Sequence, residues 1–294
     1  MFSRKRNGSV VCRSCGRLVD SDDERCYYCG ARKPGLWGFG PLVRRVAADE
    51  FGLVRIIIGA CAFLYVVALA LDPGGIRMGG FLNLLAPGTR ASFLLGAAGI
   101  VPVWEYGRWW TVLTAGWLHG SLLHVLFNMY WVYLLTPQVA RIYGVGRTVI
   151  IYVAASVAGF VASSTAVVLL SYVSRDLAAA VGKVLGAAGF TLGASASLMG
   201  LLGALIAYSR RGGSSSVGGW AWRYVIFFLL FGLLVRSVDN WAHLGGLAGG
   251  YITALLLNPA RPERTNHLIA AGACLAATVV ALLASVITGL PQFL

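Results

Sequence analysis

Charged side chains are scarce in this sequence. Only 12% of its 294 residues are Asp, Glu, Lys or Arg, whereas 58% are hydrophobic, and the mean hydropathy is +0.75. A soluble domain needs about twice that share of charge to cover its surface. The composition therefore excludes a soluble globular protein. It predicts an all-α polytopic membrane protein, because helices satisfy their own backbone hydrogen bonds in lipid.

Acidic residues are especially few, with 11 Asp and Glu against 24 Lys and Arg. Within the long apolar segments the sequence has one carboxylate, Asp239, and it has no internal repeat. A channel or transporter would be expected to have intramembrane carboxylates and broken helices in repeated halves. The sequence therefore argues against that class of membrane protein.

The basic residues, which give a net charge of +13, are unevenly distributed. Eleven of the 24 precede residue 56, and most of the others lie between apolar segments. This placement is typical of basic cytoplasmic loops rather than of a nucleic-acid-binding face. We therefore expect anionic lipid headgroups, and no nucleic acid, as partners of the charge.

Seven apolar segments have about the 20 residues that a membrane span requires. They are residues 53–71, 117–137, 148–171, 193–209, 221–236, 239–257 and 267–289. The first starts near Leu53, so no signal peptide is expected. If the N-terminus is inside, 18 of the 24 basic residues lie inside and 6 outside. This count predicts a cytoplasmic N-terminus and an external C-terminus in a bacterial cytoplasmic membrane.

Two connecting segments have distinctive compositions. The long first loop, residues 72–116, is rich in Gly, Phe, Leu and Trp, which predicts a position in the membrane interface. The tract GGSSSVGG at residues 212–219 predicts a flexible loop.

The first 34 residues contain four of the six cysteines. Two Cys-x2-Cys pairs, each able to hold one side of a tetrahedral metal ion, are formed by Cys12 with Cys15 and by Cys26 with Cys29. Four thiolates favour a structural zinc ion, and the alternative of two disulfides does not suit a reducing cytoplasm. The segment resembles a zinc ribbon, which would fold only with its metal. Such ribbons bind proteins, nucleic acid or zinc alone, so a protein partner is one open alternative.

Cys61 and Cys274 lie in apolar segments and are expected to be packing residues.

Polar residues occur in three of the apolar segments, where burial is costly and each is a functional candidate. They are His124 and Asn128 in the second segment, Ser195 and Ser197 in the fourth, and His243 in the sixth. Taken singly, each has an alternative interpretation as a packing or hydrogen-bonding residue between helices. Glycines spaced for close helix packing accompany them, at Gly193, Gly200, Gly246 and Gly250.

Depth favours one shared site over separate packing contacts. With the N-terminus inside, the three segments run in the same direction, and Asn128, Ser195 and His243 fall in the outer half of the bilayer. The fourth segment covers only about 25 Å of a core of about 30 Å, so Ser195 would lie below the surface at a helix N-terminus. Unpaired amides there favour a developing oxyanion. Ser197 faces another side and is the alternative nucleophile, and Asp239 is expected to cap the sixth segment.

Three motifs together resemble those of the rhomboid family of intramembrane serine proteases, over about residues 52–257. They are His119-x4-His124-x3-Asn128, Gly193-Ala194-Ser195 and Ala242-His243-x2-Gly246-x3-Gly250. The resemblance implies a rhomboid-like six-helix core with a seventh, C-terminal helix, cleavage of transmembrane segments of membrane proteins, and no catalytic cofactor. It implies that Ser195 is the nucleophile and His243 the general base. It further implies an oxyanion hole formed by His124, Asn128 and the Ser195 amide.

The chain departs from the usual rhomboid pattern at three places. Ala196 replaces the usual Gly after the nucleophile, and Met199 replaces an aromatic residue. The usual Trp-Arg pair of the first loop reads Trp110-Thr111, with Arg108 displaced, so that loop is not expected to have its usual anchor. A catalytically inactive rhomboid-like protein that binds membrane proteins is the alternative, but the presence of Ser195, His243 and Asn128 favours a protease.

These observations predict four parts of the chain. A cytoplasmic zinc ribbon occupies residues 1–34 and a juxtamembrane linker residues 35–51. A protease core follows at residues 52–257, and an additional transmembrane helix occupies residues 258–294.

Overall fold

A computed structural model of the protein describes residues 9–12, 15–20, 23–34, 51–186, 189–235 and 237–293. The predicted linker, apart from Phe51, lies outside the described residues, as does Arg236. The described chain consists of a small cysteine-containing unit followed by a helical membrane domain.

The cysteine-containing unit is built on a two-stranded antiparallel sheet. Strand β1 (Ser9–Val11) pairs with β2 (Leu18–Asp20), and Val10 lies opposite Val19. These two valines form a small buried cluster with Cys12 and Cys26. Because so few apolar side chains are buried, this unit lacks a core that could hold it folded on hydrophobic burial alone.

Helices make up most of the rest of the described chain, and one is present at each of the seven predicted apolar segments. In chain order the α-helices are α1 (Gly52–Leu71), α2 (Thr89–Leu95), α3 (Thr111–Thr114), α4 (Leu122–Tyr143), α5 (Val145–Val173), α6 (Arg175–Leu185), α7 (Ser195–Arg210), α8 (Ser215–Leu234), α9 (Asn240–Leu256) and α10 (Thr265–Phe293). The predicted all-α polytopic membrane fold is therefore confirmed.

Four of these helices are long and apolar enough, by length and composition, to cross a membrane: α1, α5, α8 and α10. The other three helices at predicted segments are α4, α7 and α9. Helix α7 has only 16 residues and α9 only 17, whereas α4 has 22 residues but contains polar ones. The three helices that contain the candidate polar residues are thus the least suited to direct contact with lipid.

Helix α7 lies at the centre of the bundle. Its residues from Ala196 to Ala207 are all buried, and it packs against α4, α5, α8 and α9. The surrounding helices keep the ends of this short helix away from lipid, which could not hydrogen-bond the unpaired backbone groups there. Ser195 is therefore held at the first position of the most enclosed helix.

The connections differ from the sequence prediction in three places. The first loop contains α2, α3 and a π-helical turn, Val101–Glu105. The short amphipathic helix α6 was not predicted. Residues 212–219 are not a flexible loop throughout, because α8 begins at Ser215. There Gly218 lies so close to α7 that an added Cβ would overlap the Ser209 side chain, so α8 packs against α7 near its start despite the weak helix propensity of Ser and Gly.

Arg108 anchors the first loop to the C-terminal helix. Its side chain is only 2% exposed and donates hydrogen bonds to the carbonyl oxygens of Phe93 in α2 (2.8 Å) and Ser285 in α10 (2.6 Å). The guanidinium group also lies 4.1 Å from the Phe93 ring centroid. The first loop was not expected to have the usual Trp-Arg anchor, and the structure shows that the displaced Arg108 anchors it instead, through acceptors on α2 and on the seventh, C-terminal helix.

Candidate functional site

A cavity of about 850 Å³ opens between the start of α7 and the ends of α4, α8 and α9. Its lining includes four of the predicted site residues, His124, Asn128, Ser195 and His243. The structure thus brings together polar side chains from three helices that are far apart in sequence.

Ser195 is the first residue of α7 and is partly exposed to this cavity. The turn before it is fixed by backbone hydrogen bonds. The Gly193 amide donates to the Ala115 carbonyl at 2.9 Å, and Thr191 exchanges two bonds with Ala98 at 2.8 and 3.0 Å. Gly193 has φ of +129°, which a residue with a side chain rarely adopts. The glycine therefore permits the turn that presents Ser195 at the helix N-terminus.

His243 lies in the first turn of α9 and is 3% exposed. The ring of Phe228 in α8 packs edge-to-face against it, with centroids 6.3 Å apart. Among the described residues, the Nδ1 atom of His243 has no hydrogen-bond partner. Packing, rather than a carboxylate, therefore orients this imidazole ring.

His124 and Asn128 lie one turn apart in α4. Ser121 caps this helix by accepting a hydrogen bond from the His124 amide at 3.3 Å. His124 Nδ1 accepts from the Gly120 amide at 3.3 Å, so the neutral ring has its proton on Nε2, which becomes a donor. A Cβ atom on Gly193 would lie 2.6 Å from that Nε2 atom, which places this donor beside the turn that precedes Ser195.

Asn128 is 1% exposed, and its Nδ2 atom donates to the His124 carbonyl at 2.9 Å. An amide nitrogen has two hydrogens, so a second N–H is left for another acceptor. Its Oδ1 atom has no partner in the part of the chain that the structure describes. A buried amide with unused hydrogen-bonding groups is typical of a ligand-binding site rather than of a packing contact.

Three other residues singled out in the sequence have surroundings that differ from those of the four candidate site residues. His119 precedes α4 instead of lying within it, and its ring packs edge-to-face on His124 at 5.2 Å. Ser197 is fully buried and donates to the Tyr152 carbonyl of α5 at 2.9 Å. Asp239 caps α9 as predicted, accepting from the Ala242 amide at 3.0 Å. Ser197 therefore does not line the cavity and is a poor candidate nucleophile.

Two rows of glycine hold α9 close to its neighbours. Gly246 and Gly250 face Ala196 and Gly200 of α7, where an added Cβ would overlap backbone atoms. The other row, Gly245 and Gly249, faces α5 at residues 154–162 and was not predicted. Since backbones approach most closely at small residues, these rows bring His243 and Ser195 to the same cavity.

The four N-terminal cysteines form a second candidate site. Their sulfur atoms all lie within 4.8 Å of one another, with Cys12 and Cys29 3.7 Å apart and Cys15 and Cys26 3.6 Å apart. A tetrahedral zinc ion about 2.3 Å from four sulfurs requires separations of about 3.8 Å. The Cys12–Cys29 and Cys15–Cys26 separations are close to this value, so the cluster is compatible with a tetrahedral metal ion held by four sulfurs.

One of these thiols is prepared for metal binding. Burial of Cys26 raises its pKa, but hydrogen bonds from the backbone amides of Tyr28 and Cys29 lower it, and the net pKa is about 7 instead of 9.0. The lowered pKa favours the thiolate of Cys26, which is the form that binds metal.

Residues that support the site were missed where only the tertiary fold brings them together. Phe228 packs on His243, while Thr191 and Ser163 donate hydrogen bonds to Asp239. No local spacing marks these residues. The one usable signal was the cap position of Asp239, which identified a carboxylate close to His243.

Comparison with known proteins identifies a family for the part of the chain that contains the cavity residues. The Rhomboid domain family matches residues 106–260, which is more than half of the chain. Rhomboid protease GluP of Bacillus subtilis is 33% identical over 154 residues, covering 51% of this chain and 26% of GluP. RHOMBOID-like protein 1 of Arabidopsis thaliana is 26% identical over 174 residues (58% and 40%). Rhomboid-like protease 3 of Toxoplasma gondii is 28% identical over 164 residues (56% and 57%).

The chain spans between about a quarter and three fifths of the length of these three relatives. The matched region contains α4, α5, α7, α8 and α9, and hence all four cavity residues described above. Helix α10 and the cysteine cluster lie outside it. The chain is an integral, multi-pass membrane protein that belongs to the rhomboid family.

Proposed function

We propose that the protein is an intramembrane serine endopeptidase that cleaves transmembrane segments of other membrane proteins with a Ser195–His243 dyad. The observation that carries this proposal is the shared cavity, which is lined by Ser195 at the start of α7 together with His243, His124 and Asn128. The protease names of several relatives agree with it.

In the proposed reaction, Ser195 Oγ attacks the carbonyl carbon of the scissile peptide bond. The His243 imidazole accepts the hydroxyl proton and then donates it to the leaving amine. Water next attacks the acyl-enzyme ester while His243 accepts its proton, and the ester bond to Ser195 Oγ then breaks as His243 returns the proton to that oxygen, which releases the carboxylic acid product. No carboxylate is needed to orient the ring, since Phe228 already packs against it.

Three donors would stabilise the negative oxygen of the tetrahedral intermediate. They are the Ser195 backbone amide, the His124 Nε2–H group and the second N–H of Asn128. The amides at the N-terminus of α7 have no intrahelical acceptor, and their partial positive charge favours an anion. Such donors are already in position before the reaction begins, so they lower the barrier without any reorganisation of the site.

The cavity also suits an apolar peptide. Phe127 of α4 and Phe228 and Phe231 of α8 line the side of the cavity between those two helices. An unwound transmembrane segment could lie against these rings while its carbonyl group reaches Ser195. We therefore assign transmembrane protein segments as the substrate class.

We further propose that the N-terminus is cytoplasmic and the C-terminus external. Cysteine-accessibility labelling from each side of bacterial membranes tests this orientation.

The decisive experiment measures cleavage of a reconstituted transmembrane substrate by the full chain and by Ser195→Ala. We expect Ser195→Ala to abolish cleavage, and His243→Ala to do the same, while both variants still insert and fold. Ser197→Ala is the matched control, because it removes a neighbouring hydroxyl that donates to Tyr152, and it should stay active. Wild-type turnover by Ser195→Ala would disprove the assignment.

The alternative function is that of an inactive rhomboid-like binding protein. It predicts that the wild-type chain captures membrane proteins but cleaves none of them, and that Ser195→Ala captures them equally well. The convergence of a hydroxyl, an imidazole and two further donors at one cavity favours the protease, because binding alone needs none of them.

For the N-terminal unit, we propose a zinc ribbon in which Cys12, Cys15, Cys26 and Cys29 hold one structural zinc ion. The metal would supply cross-links that the small buried cluster cannot replace. It takes no part in the peptidase chemistry, and a protein partner bound through the ribbon is the simplest further role.

A further inference from the structure

The carboxylate of Asp239 uses both of its oxygens. Oδ1 accepts a hydrogen bond from the Ala242 amide and so caps α9. An N-cap needs only this one bond. Oδ2 accepts the Thr191 hydroxyl at 2.8 Å and the Ser163 hydroxyl of α5. Thr191 is 6% exposed and Ser163 2% exposed, so both donor residues are buried. The second oxygen therefore does more than end a helix.

The Thr191 bond links two equivalent positions in the site. Thr191 precedes Ser195 by four residues, and Asp239 precedes His243 by four residues. Backbone hydrogen bonds of Thr191 with Ala98, and from the Gly193 amide to the Ala115 carbonyl, hold the turn before Ser195 to the first loop. The Thr191 side chain ties the same turn to the start of the helix that contains His243.

A direct catalytic role for Asp239 does not fit the geometry. In a triad the carboxylate would accept the Nδ1 proton of the histidine. Here Nδ1 of His243 has no partner among the described residues, and the Asp239 oxygens are directed to Ala242, Thr191 and Ser163. Asp239 can affect the reaction only through the positions of Ser195 and His243.

We infer that Asp239 is a positioning residue, which fixes the separation of Ser195 and His243 through its hydrogen bond to Thr191. This inference rests on the proposed function. Proton transfer requires the serine and the histidine to be about 2.6–3.2 Å apart, and a displacement of about 1 Å can slow a reaction by about 10²-fold. A link between the turn before the nucleophile and the helix of the base controls that separation.

The test compares the rate at which a fluorophosphonate probe labels Ser195 in the purified, full-length protein. Thr191→Val removes the hydroxyl and Asp239→Asn removes the negative Oδ2 acceptor, although asparagine still caps a helix. We expect each variant to react about 10–100-fold more slowly. Thr191→Ser keeps the hydroxyl and should restore the rate to within about threefold of wild type. The double variant should be no slower than the slower single variant, because both changes break the same hydrogen bond between Thr191 and Asp239.

Ser163→Ala is the matched control, because it removes a hydrogen bond from the same oxygen without touching the turn before Ser195. It should label at close to the wild-type rate, and on a transmembrane substrate Thr191→Val should lower kcat while leaving KM nearly unchanged. Equal slowing by Ser163→Ala and Thr191→Val, or wild-type labelling of a folded Thr191→Val, would overturn the inference. A wild-type chain that is never labelled would instead disprove the proposed protease function.

Discussion

Gly246 lies directly against Ala196, the residue that follows the candidate nucleophile, so that a methyl group on Gly246 would overlap the Ala196 carbonyl. This contact sets how closely α9 can approach α7. It links the helix of the proposed base to the helix of the proposed nucleophile at the level of the backbone, where no side chain can move aside.

We predict that Gly246→Ala separates these helices, lowers the free energy of unfolding by about 1–3 kcal/mol and reduces cleavage. Thermal unfolding in detergent, followed together with activity, checks the prediction. Gly272→Ala is the matched control, because Gly272 lies in α10 with no atom within 4 Å of an added Cβ. It should be neutral or slightly stabilising. Equal stability of the two variants would contradict the packing argument.

Asn128→Ala should reduce kcat by about 10²–10³-fold, the usual cost of losing one oxyanion donor. Its folding should change little, because the hydrogen bond that it makes is to His124 in the same helix. Steady-state kinetics on a transmembrane substrate, with unfolding temperatures measured in parallel, separates the two effects. An unchanged kcat would return Asn128 to the class of packing residues.

Arg108→Ala should destabilise the protein strongly, because it removes two buried hydrogen bonds from a charged group to the carbonyl oxygens of Phe93 and Ser285, together with the packing on the Phe93 ring. Each hydrogen bond from a charged group contributes about 1.5–3 kcal/mol. Ser285→Ala is the control, since it keeps the backbone carbonyl that Arg108 contacts and loses only the bond from Trp110 to the Ser285 hydroxyl. We expect it to cost about 0.5–1.5 kcal/mol. Thermal unfolding that ranks the two variants in the opposite order would rule out Arg108 as the anchor of the first loop.

The cysteine cluster should bind one zinc ion per chain, measured by elemental analysis of the purified protein. Cys12→Ser with Cys15→Ser should abolish binding, whereas Cys274→Ser should keep it, because Cys274 lies in α10. We expect cleavage in detergent to survive loss of the metal, since the ribbon is not part of the active-site cavity. Loss of cleavage from a folded membrane domain would show that the two units are coupled.

The sequence was sufficient for the features that depend on local pattern. Apolar length predicted the helices, the start of α7 at Ser195 was expected within two residues, and the Asp239 cap was identified from its position before α9. The spacing of the cysteines predicted the sulfur cluster. In these cases the residues that matter are neighbours in the chain or recur at a helical period.

Features that depend on distant contacts could not be predicted. Arg108 and Ser285 are 177 residues apart, and only the fold shows that α10 offers an acceptor to the first loop. The Thr191–Asp239 bond spans 48 residues and has no periodic signal. The start of α8 within a Ser/Gly tract was likewise set by packing on α7, which outweighs local propensity.

The central claim, that Ser195 is a nucleophile activated by His243, is tested most directly by mapping a fluorophosphonate adduct by mass spectrometry. Displacement of fluoride by an activated serine leaves a covalent phosphonate on the side chain that attacked. The account predicts an adduct on Ser195 in the wild-type protein and none in His243→Ala. An adduct on Ser197, or undiminished labelling of Ser195 in His243→Ala, would contradict it.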